Sequence, residues 1–266
     1  MSLTPLKILT SVANSPSCQK ILIVWQDQNK PRPMIDSLPE VRVPVHVVKT
    51  YKNALSNRFI PYPEIEVRTL TLSHGAEFMK PFKTNCVLAI DDDIDYITPD
   101  EFEFGYETWR SMPDRIVGWP SRAHYLVNNE WFYDSTWAND ASLVLTGAAF
   151  YHNYFNYLYT EKSPEMPRDW VDEQMNCEDI FMNYIVTNAT RKAPIKITPR
   201  KFFKSPTKSI SAKTGHITAR SECVTLFQKY FPDLKPFTTD FRADPVLYLV
   251  SGAEADNLKY GNVGTL

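Results

Sequence analysis

The chain has 266 residues, is 43% hydrophobic and 23% charged, and carries a net charge of −2. That is enough chain for a sizeable core, and the near-neutral balance excludes a general electrostatic attraction to nucleic acid. No uninterrupted apolar stretch approaches the roughly 20 residues needed to span a bilayer. The start, Met1-Ser2-Leu3-Thr4-Pro5, lacks a signal peptide's basic and long apolar regions, which suits a cytosolic protein or an excised lumenal domain.

Leu6, Leu9, Val12 and Ala13 recur at helical spacing and predict a helix over residues 3–15, stopped by Asn14-Ser15-Pro16. Ile21-Leu22-Ile23-Val24-Trp25 reads as a buried strand, and residues 26–31 as the loop leaving it. A second strand begins after Pro44, because proline cannot donate to a ladder. Cys86-Val87-Leu88-Ala89-Ile90 is the third, residues 99–110 a helix, and Arg115-Ile116-Val117-Gly118-Trp119 another strand. Strands alternating with helices predict an α/β sheet with crossover connections.

The second half is wetter and more aromatic. Residues 125–137 suit a sugar-binding wall, with a loop packed on the core as the default. Within Leu143 to Phe150 a strand is followed by the small residues Gly147, Ala148 and Ala149, which permit close backbone approach. An aromatic packing helix is expected over 151–159, and one or two helices over 169–190, with Glu178-Asp179 opening the second. Residues 196–213 are basic and could meet an anionic glycan, but a solvated flexible loop is the default. No internal repeat or long low-complexity linker divides the chain, so a single domain over 1–266 is expected.

Asp91-Asp92-Asp93 closes the third strand. The C-terminal edge of an open α/β sheet is where ligands sit. Two carboxylates about 4 Å apart repel by roughly 4 kcal/mol at an effective dielectric of about 20. They must therefore fan into water or be neutralised by a divalent cation. Oxygen ligands favour Mg²⁺ or Mn²⁺, which often bridge a carboxylate to a substrate phosphate. An EF-hand does not fit, since Tyr96 replaces the turn glycine and Phe102 the bidentate glutamate. The four cysteines show no metal-binding spacing. One Cys177–Cys223 disulfide and four reduced, mostly buried thiols both remain open. Asn188-Ala189-Thr190 is an N-glycosylation pattern, usable only in the secretory pathway.

Several segments carry a resemblance: Asn53-Ala54-Leu55-Ser56-Asn57-Arg58-Phe59, the aspartate triplet, Arg115-Ile116-Val117-Gly118 and Ser142-Leu143-Val144-Leu145-Thr146-Gly147-Ala148-Ala149. Asn176-Cys177-Glu178-Asp179-Ile180-Phe181-Met182-Asn183 and Pro194-Ile195-Lys196-Ile197-Thr198 complete it. Together they resemble the C-terminal glycosyltransferase domain of the exostosins, glycosyltransferase family 64, most closely its exostosin-like branch, over about residues 6–249. The resemblance implies a GT-A fold with a mixed central sheet flanked by helices, a UDP-GlcNAc donor and a Mn²⁺ cofactor. The implied reaction is retaining transfer of α-GlcNAc to a glucuronic acid-ended glycosaminoglycan acceptor in heparan sulfate biosynthesis. It further implies residence in the endoplasmic reticulum or Golgi lumen, within a longer membrane-anchored protein, and oligomers with related glycosyltransferases.

By motif, Asp91 and Asp92 contact the nucleotide-sugar and Asp93 binds the metal. Asn53, Arg58 and Arg220 hold the donor, Asp179 is the catalytic aspartate, and Cys177 and Cys223 form a disulfide. Gln26 takes a donor-side position where the family has Asn. Compared with the family, the first strand is missing, which leaves a sheet edge unpaired. Residues 67–83 form an insertion and 250–266 a tail. The alternative expectation is a catalytically inactive glycan- or partner-binding domain of the same fold.

Overall fold

The computed structural model describes residues 3–65, 85–94, 97–136, 140–199, 215–234, 237–239 and 241–244. The expected insertion at 67–83, the 250–266 tail and residues 200–213 of the basic stretch lie outside the described residues. In chain order come α1 (Leu3–Ala13), β1 (Ile21–Trp25), β2 (Val45–Lys49), β3 (Cys86–Ile90) and α2 (Pro99–Ser111). Next are β4 (Val117–Gly118), β5 (Ser121–Val127), β6 (Glu130–Asp134), β7 (Leu143–Val144) and β8 (Ala148–His152). The rest are α3 (Tyr154–Tyr157), α4 (Glu165–Gln174), α5 (Glu178–Thr190), β9 (Ile195–Ile197), α6 (His216–Tyr230) and β10 (Arg242–Ala243).

The expected mixed sheet is present, in the order β10-β9-β4-β8-β3. β8 runs antiparallel to both β3 and β4, while β4, β9 and β10 pair in parallel. The C-terminal ends of β3, β4, β9 and β10 therefore share one edge, and Asp91 leaves β3 there. β1 and β2 form a separate parallel pair, and among the described residues no strand joins β1 to β3.

Side chains alternate across β8 as the pleat requires. Ala149 and Tyr151 enter one core cluster with Phe59, Tyr159, Phe181 and Phe227. Ala148 and Phe150 enter the other with Phe102, Trp109, Trp119 and Ile197. Each fully buried large side chain contributes up to about 3 kcal/mol. α2 starts with a reciprocal cap: Glu101 Oε2 accepts from the Thr98 backbone N–H (3.1 Å) and from the Thr98 hydroxyl (2.9 Å), and Pro99 needs no partner for its missing N–H. Gly105 lets this helix press on the sheet, since a Cβ there would lie 2.7 Å from Phe150 and 2.8 Å from Trp119.

Several segments differ from the sequence expectation. The strand expected over 115–119 shortens to β4: Trp119 still donates to the Ala148 carbonyl of β8 (3.2 Å), but Pro120 follows and has no N–H to carry the ladder on. Residues 143–150, expected as a strand followed by small residues, hold two strands in different sheets, with Leu145-Thr146-Gly147 crossing between them. Where a loop packed on the core was the default, residues 121–134 form a hairpin: β5 and β6 turn around Asn128 and Asn129, whose φ values of 50° and 67° are those that tight hairpin turns demand, and Tyr133 does pack on the core. The aromatic helix over 151–159 begins later, since Tyr151 and His152 finish β8; α3 then runs into a π-turn at Leu158–Lys162. Lys196, expected in a solvated loop, is buried in β9.

Candidate active site at the sheet edge

Arg58 is fixed from its backbone outward. A 3₁₀ turn at Leu55–Phe59 carries it. The Gln26 Oε1 accepts from the Ala54 N–H (3.0 Å) and from Asn57 Nδ2 (2.9 Å). Asp172 of α4 accepts from the Ser56 N–H (2.9 Å), and Phe59 sits in the core with its ring centroid 4.5 Å from Tyr159. With both neighbours anchored, Arg58 projects in one direction. Its Nη1 donates to Glu178 Oε1 (3.1 Å), and its Nη2 donates to Asp91 Oδ1. Burial alone would lower the guanidinium's proton affinity, but Asp91 and Glu178 more than offset it and raise it.

Asp91 is held by backbone as well, its N–H donating to the Gly147 carbonyl (2.8 Å). Asp92 is exposed and Asp93 half-buried. Burial, then the charges of Asp91 and Asp92, push the Asp93 carboxyl up; Arg58 partly opposes them. A carboxyl raised by its own like-charged neighbours gains most from a cation.

α5 supplies the opposite wall. Its N-cap, Cys177, has a left-handed backbone (φ 75°) and is tied to Cys223 of α6 by a disulfide. Asp179 lies in the first turn. Arg220 Nη2 reaches both of its oxygens, at 2.6 and 2.7 Å, and Nη1 donates to Asn176 Oδ1 (3.3 Å). The Arg220 guanidinium stands 4.7 Å over the Tyr133 ring, a further attraction for a desolvated cation. Asp179 and Arg220 are 6% and 5% exposed. At that depth an unpaired charge is prohibitive, so each requires the other.

The structure thus links Asp91, Arg58, Glu178 and, through the next peptide, Asp179 and Arg220. Gln26 meets the same 3₁₀ turn, whereas Asn53 is exposed at its approach. The disulfide implied by resemblance is formed; Cys18 and Cys86 are free thiols. Among the described residues no three His, Cys, Asp or Glu side chains make a closed metal cage. Mg²⁺ and Mn²⁺ use one or two carboxylates plus substrate phosphates and need none, so the half-buried Asp93 beside Asp91 and Asp92 fits such an ion.

A family model for the glycosyl transferase family 64 domain matches residues 2–248. The chain belongs to this family. It is 48% identical over 267 residues to Exostosin-2 of Bos taurus and of Homo sapiens, covering 98% of the chain and 34% of each relative. It is 36% identical over 250 residues to Exostosin-1a of Danio rerio, covering 91% of the chain and 32% of that protein. The chain therefore spans about a third of the length of the curated relatives it matches.

Within this family 64 domain, sequence reasoning passed over Glu178, Asn57 and Tyr133. Glu178 had a signal: two adjacent acids in a helix's first turn cannot both be caps. Burial, then Asp179, push its carboxyl up to about 7, with Arg58 opposing. Asp179 itself is no cap of α5, since that position is taken by Cys177. The role of Tyr133 required the hairpin, which the sequence reading treated as a loop.

Proposed function

We propose that this domain transfers α-GlcNAc from UDP-GlcNAc, with retention and with Mn²⁺, to a glucuronic acid-ended acceptor in heparan sulfate biosynthesis. The observation that carries the reading is the Asp91–Arg58–Glu178 bridge beside the Asp179–Arg220 pair. It sets phosphate-binding and carboxylate chemistry side by side at one sheet edge.

Asp93 would hold the divalent ion, with Asp91 and Asp92 beside it on the nucleotide-sugar. The ion, when bound, neutralises charge developing on the departing diphosphate. Arg58 donates to the same diphosphate oxygens, where a guanidinium's parallel N–H groups suit the geometry. Asn53 and Gln26 lie on the donor side. Asp179, paired with Arg220 in the first turn of α5, stabilises positive charge at the anomeric carbon or orients the acceptor hydroxyl. The Cys177–Cys223 disulfide supports an oxidising compartment. This agrees with a lumenal domain of a longer, membrane-anchored endoplasmic reticulum or Golgi protein that associates with related transferases.

The test is a transfer assay with UDP-GlcNAc, Mn²⁺ and a panel of glucuronate-ended acceptors. GlcNAc transfer is expected. UDP-GlcNAc binding without turnover on any acceptor would favour a binding domain instead.

A further inference from the structure

Glu178 has no part in the transfer chemistry above, yet it is a buried carboxylate at the centre of the site. Its Oε1 accepts from Arg58 Nη1 at 3.1 Å, while the other terminal nitrogen of Arg58 is committed to Asp91. One carboxylate on one nitrogen leaves a guanidinium free to swing about that contact. Two carboxylates on its two terminal nitrogens fix both the plane and the rotation. The supports come from different elements, Asp91 from the end of β3 and Glu178 from the first turn of α5. The Arg58 plane therefore reports the spacing between the aspartate triplet and the helix that carries Asp179.

We propose that Glu178 is a positioning residue that sets Arg58 for the donor's diphosphate; this rests on the proposed UDP-sugar reading. The placement is economical in sequence. Side chains of neighbouring residues on a helix point about 100° apart, so Glu178 and Asp179 reach different arginines from a single turn. The same turn thereby aligns the diphosphate-binding Arg58 and the catalytic Asp179. Asn57 and Gln26 fix the backbone under Arg58, and Glu178 fixes its far end. Only Glu178 among these moves with α5.

The experiment is calorimetric titration of UDP with Mn²⁺ into the unaltered chain, Glu178→Gln, Glu178→Ala, Arg58→Gln and the Glu178→Gln/Arg58→Gln double variant, with thermal unfolding as the folding check. A hydrogen bond to a charged group sets the scale, so Glu178→Ala is expected to weaken UDP about tenfold. Glu178→Gln keeps an acceptor oxygen and should recover part of that loss. In the Arg58→Gln background the Glu178 change should have no further effect, because nothing is left to position; a general structural role would leave its cost intact there. If Glu178→Ala does not fold, the isosteric Glu178→Gln and the double variant decide alone. Affinity that is unchanged or tighter in Glu178→Gln, or a loss equally large without Arg58, overturns the proposal. Absence of UDP binding by the unaltered chain overturns the proposed function and this role with it, whereas UDP binding indifferent to Glu178 removes only the latter.

Discussion

The Cys177–Cys223 bridge closes a segment with a sequence separation of 46 and joins the cap of α5 to α6. Both cysteines are fully buried. Replacing both by Ala returns to the unfolded chain the freedom that the cross-link removes. The chain-entropy relation, applied to a loop of that length, gives about 4 kcal/mol at 25 °C. That is a large share of the roughly 5–15 kcal/mol that stabilises a typical domain. The assay is equilibrium urea unfolding of the double variant against the unaltered chain under oxidising conditions, followed by the unaltered chain in reductant. All routes should agree, with a midpoint lowered in proportion to about 4 kcal/mol. A loss under about 1 kcal/mol would refute the reasoning, because the unfolded ensemble would then already hold α5 and α6 together.

Asp93→Ala should abolish Mn²⁺-dependent tightening of UDP binding; calorimetry showing the same metal-dependent affinity would remove Asp93 as the ligand. Asp179→Asn is expected to leave UDP affinity within a few-fold while lowering transfer at least about a hundredfold, and parallel loss of both would mean that the residue serves the fold. Two buried groups tilt stability against pH in opposite senses when no metal is present. Burial pushes His124 down to about 4, so its contribution is complete above 6.5 and lost as pH falls toward 4. Glu178 is raised from 4.5 to about 7, so the folded state holds its proton more tightly and stability declines as pH climbs through that window. Between pH 4.5 and 6.5 the two slopes oppose one another. Glu178→Gln should therefore leave stability rising with pH, and His124→Asn should leave it falling; urea midpoints that keep the unaltered profile in both would contradict the assignment.

Much of the sheet was legible because its strands are short apolar runs with clear stops. Ile21–Trp25, the start of β2 after Pro44, and Cys86–Ile90 all stand where pattern and proline chemistry place them. The Pro99 helix was readable for the same local reason. The errors fell where partners distant in sequence decide. Leu143 to Phe150 is continuous in hydrophobicity, yet Leu145 bonds to the Pro120 carbonyl and Gly147 to Asp91, so the run divides between two sheets. The 125–137 hairpin was hidden because Asn128-Asn129 lacks the glycine that usually marks such a turn. In the site, Asp179, Arg220 and the disulfide were reachable through family resemblance. The two-sided clamp on Arg58 was not, since Glu178 lies 120 residues further along the chain and burial alone brings them together.

Gly147 accepts the Asp91 N–H through its carbonyl, and a Cβ at this position would stand 2.7 Å from Asp91 Oδ2. No side chain, however small, can occupy that space without evicting the carboxylate. Even an alanine would turn the acid off its axis and release its hold on the neighbouring guanidinium, while both hydrophobic clusters stayed whole. In a mutational scan position 147 should thus reject every side chain while the protein still folds: a bare stretch of main chain works here as a mould for the carboxylate that grips Arg58.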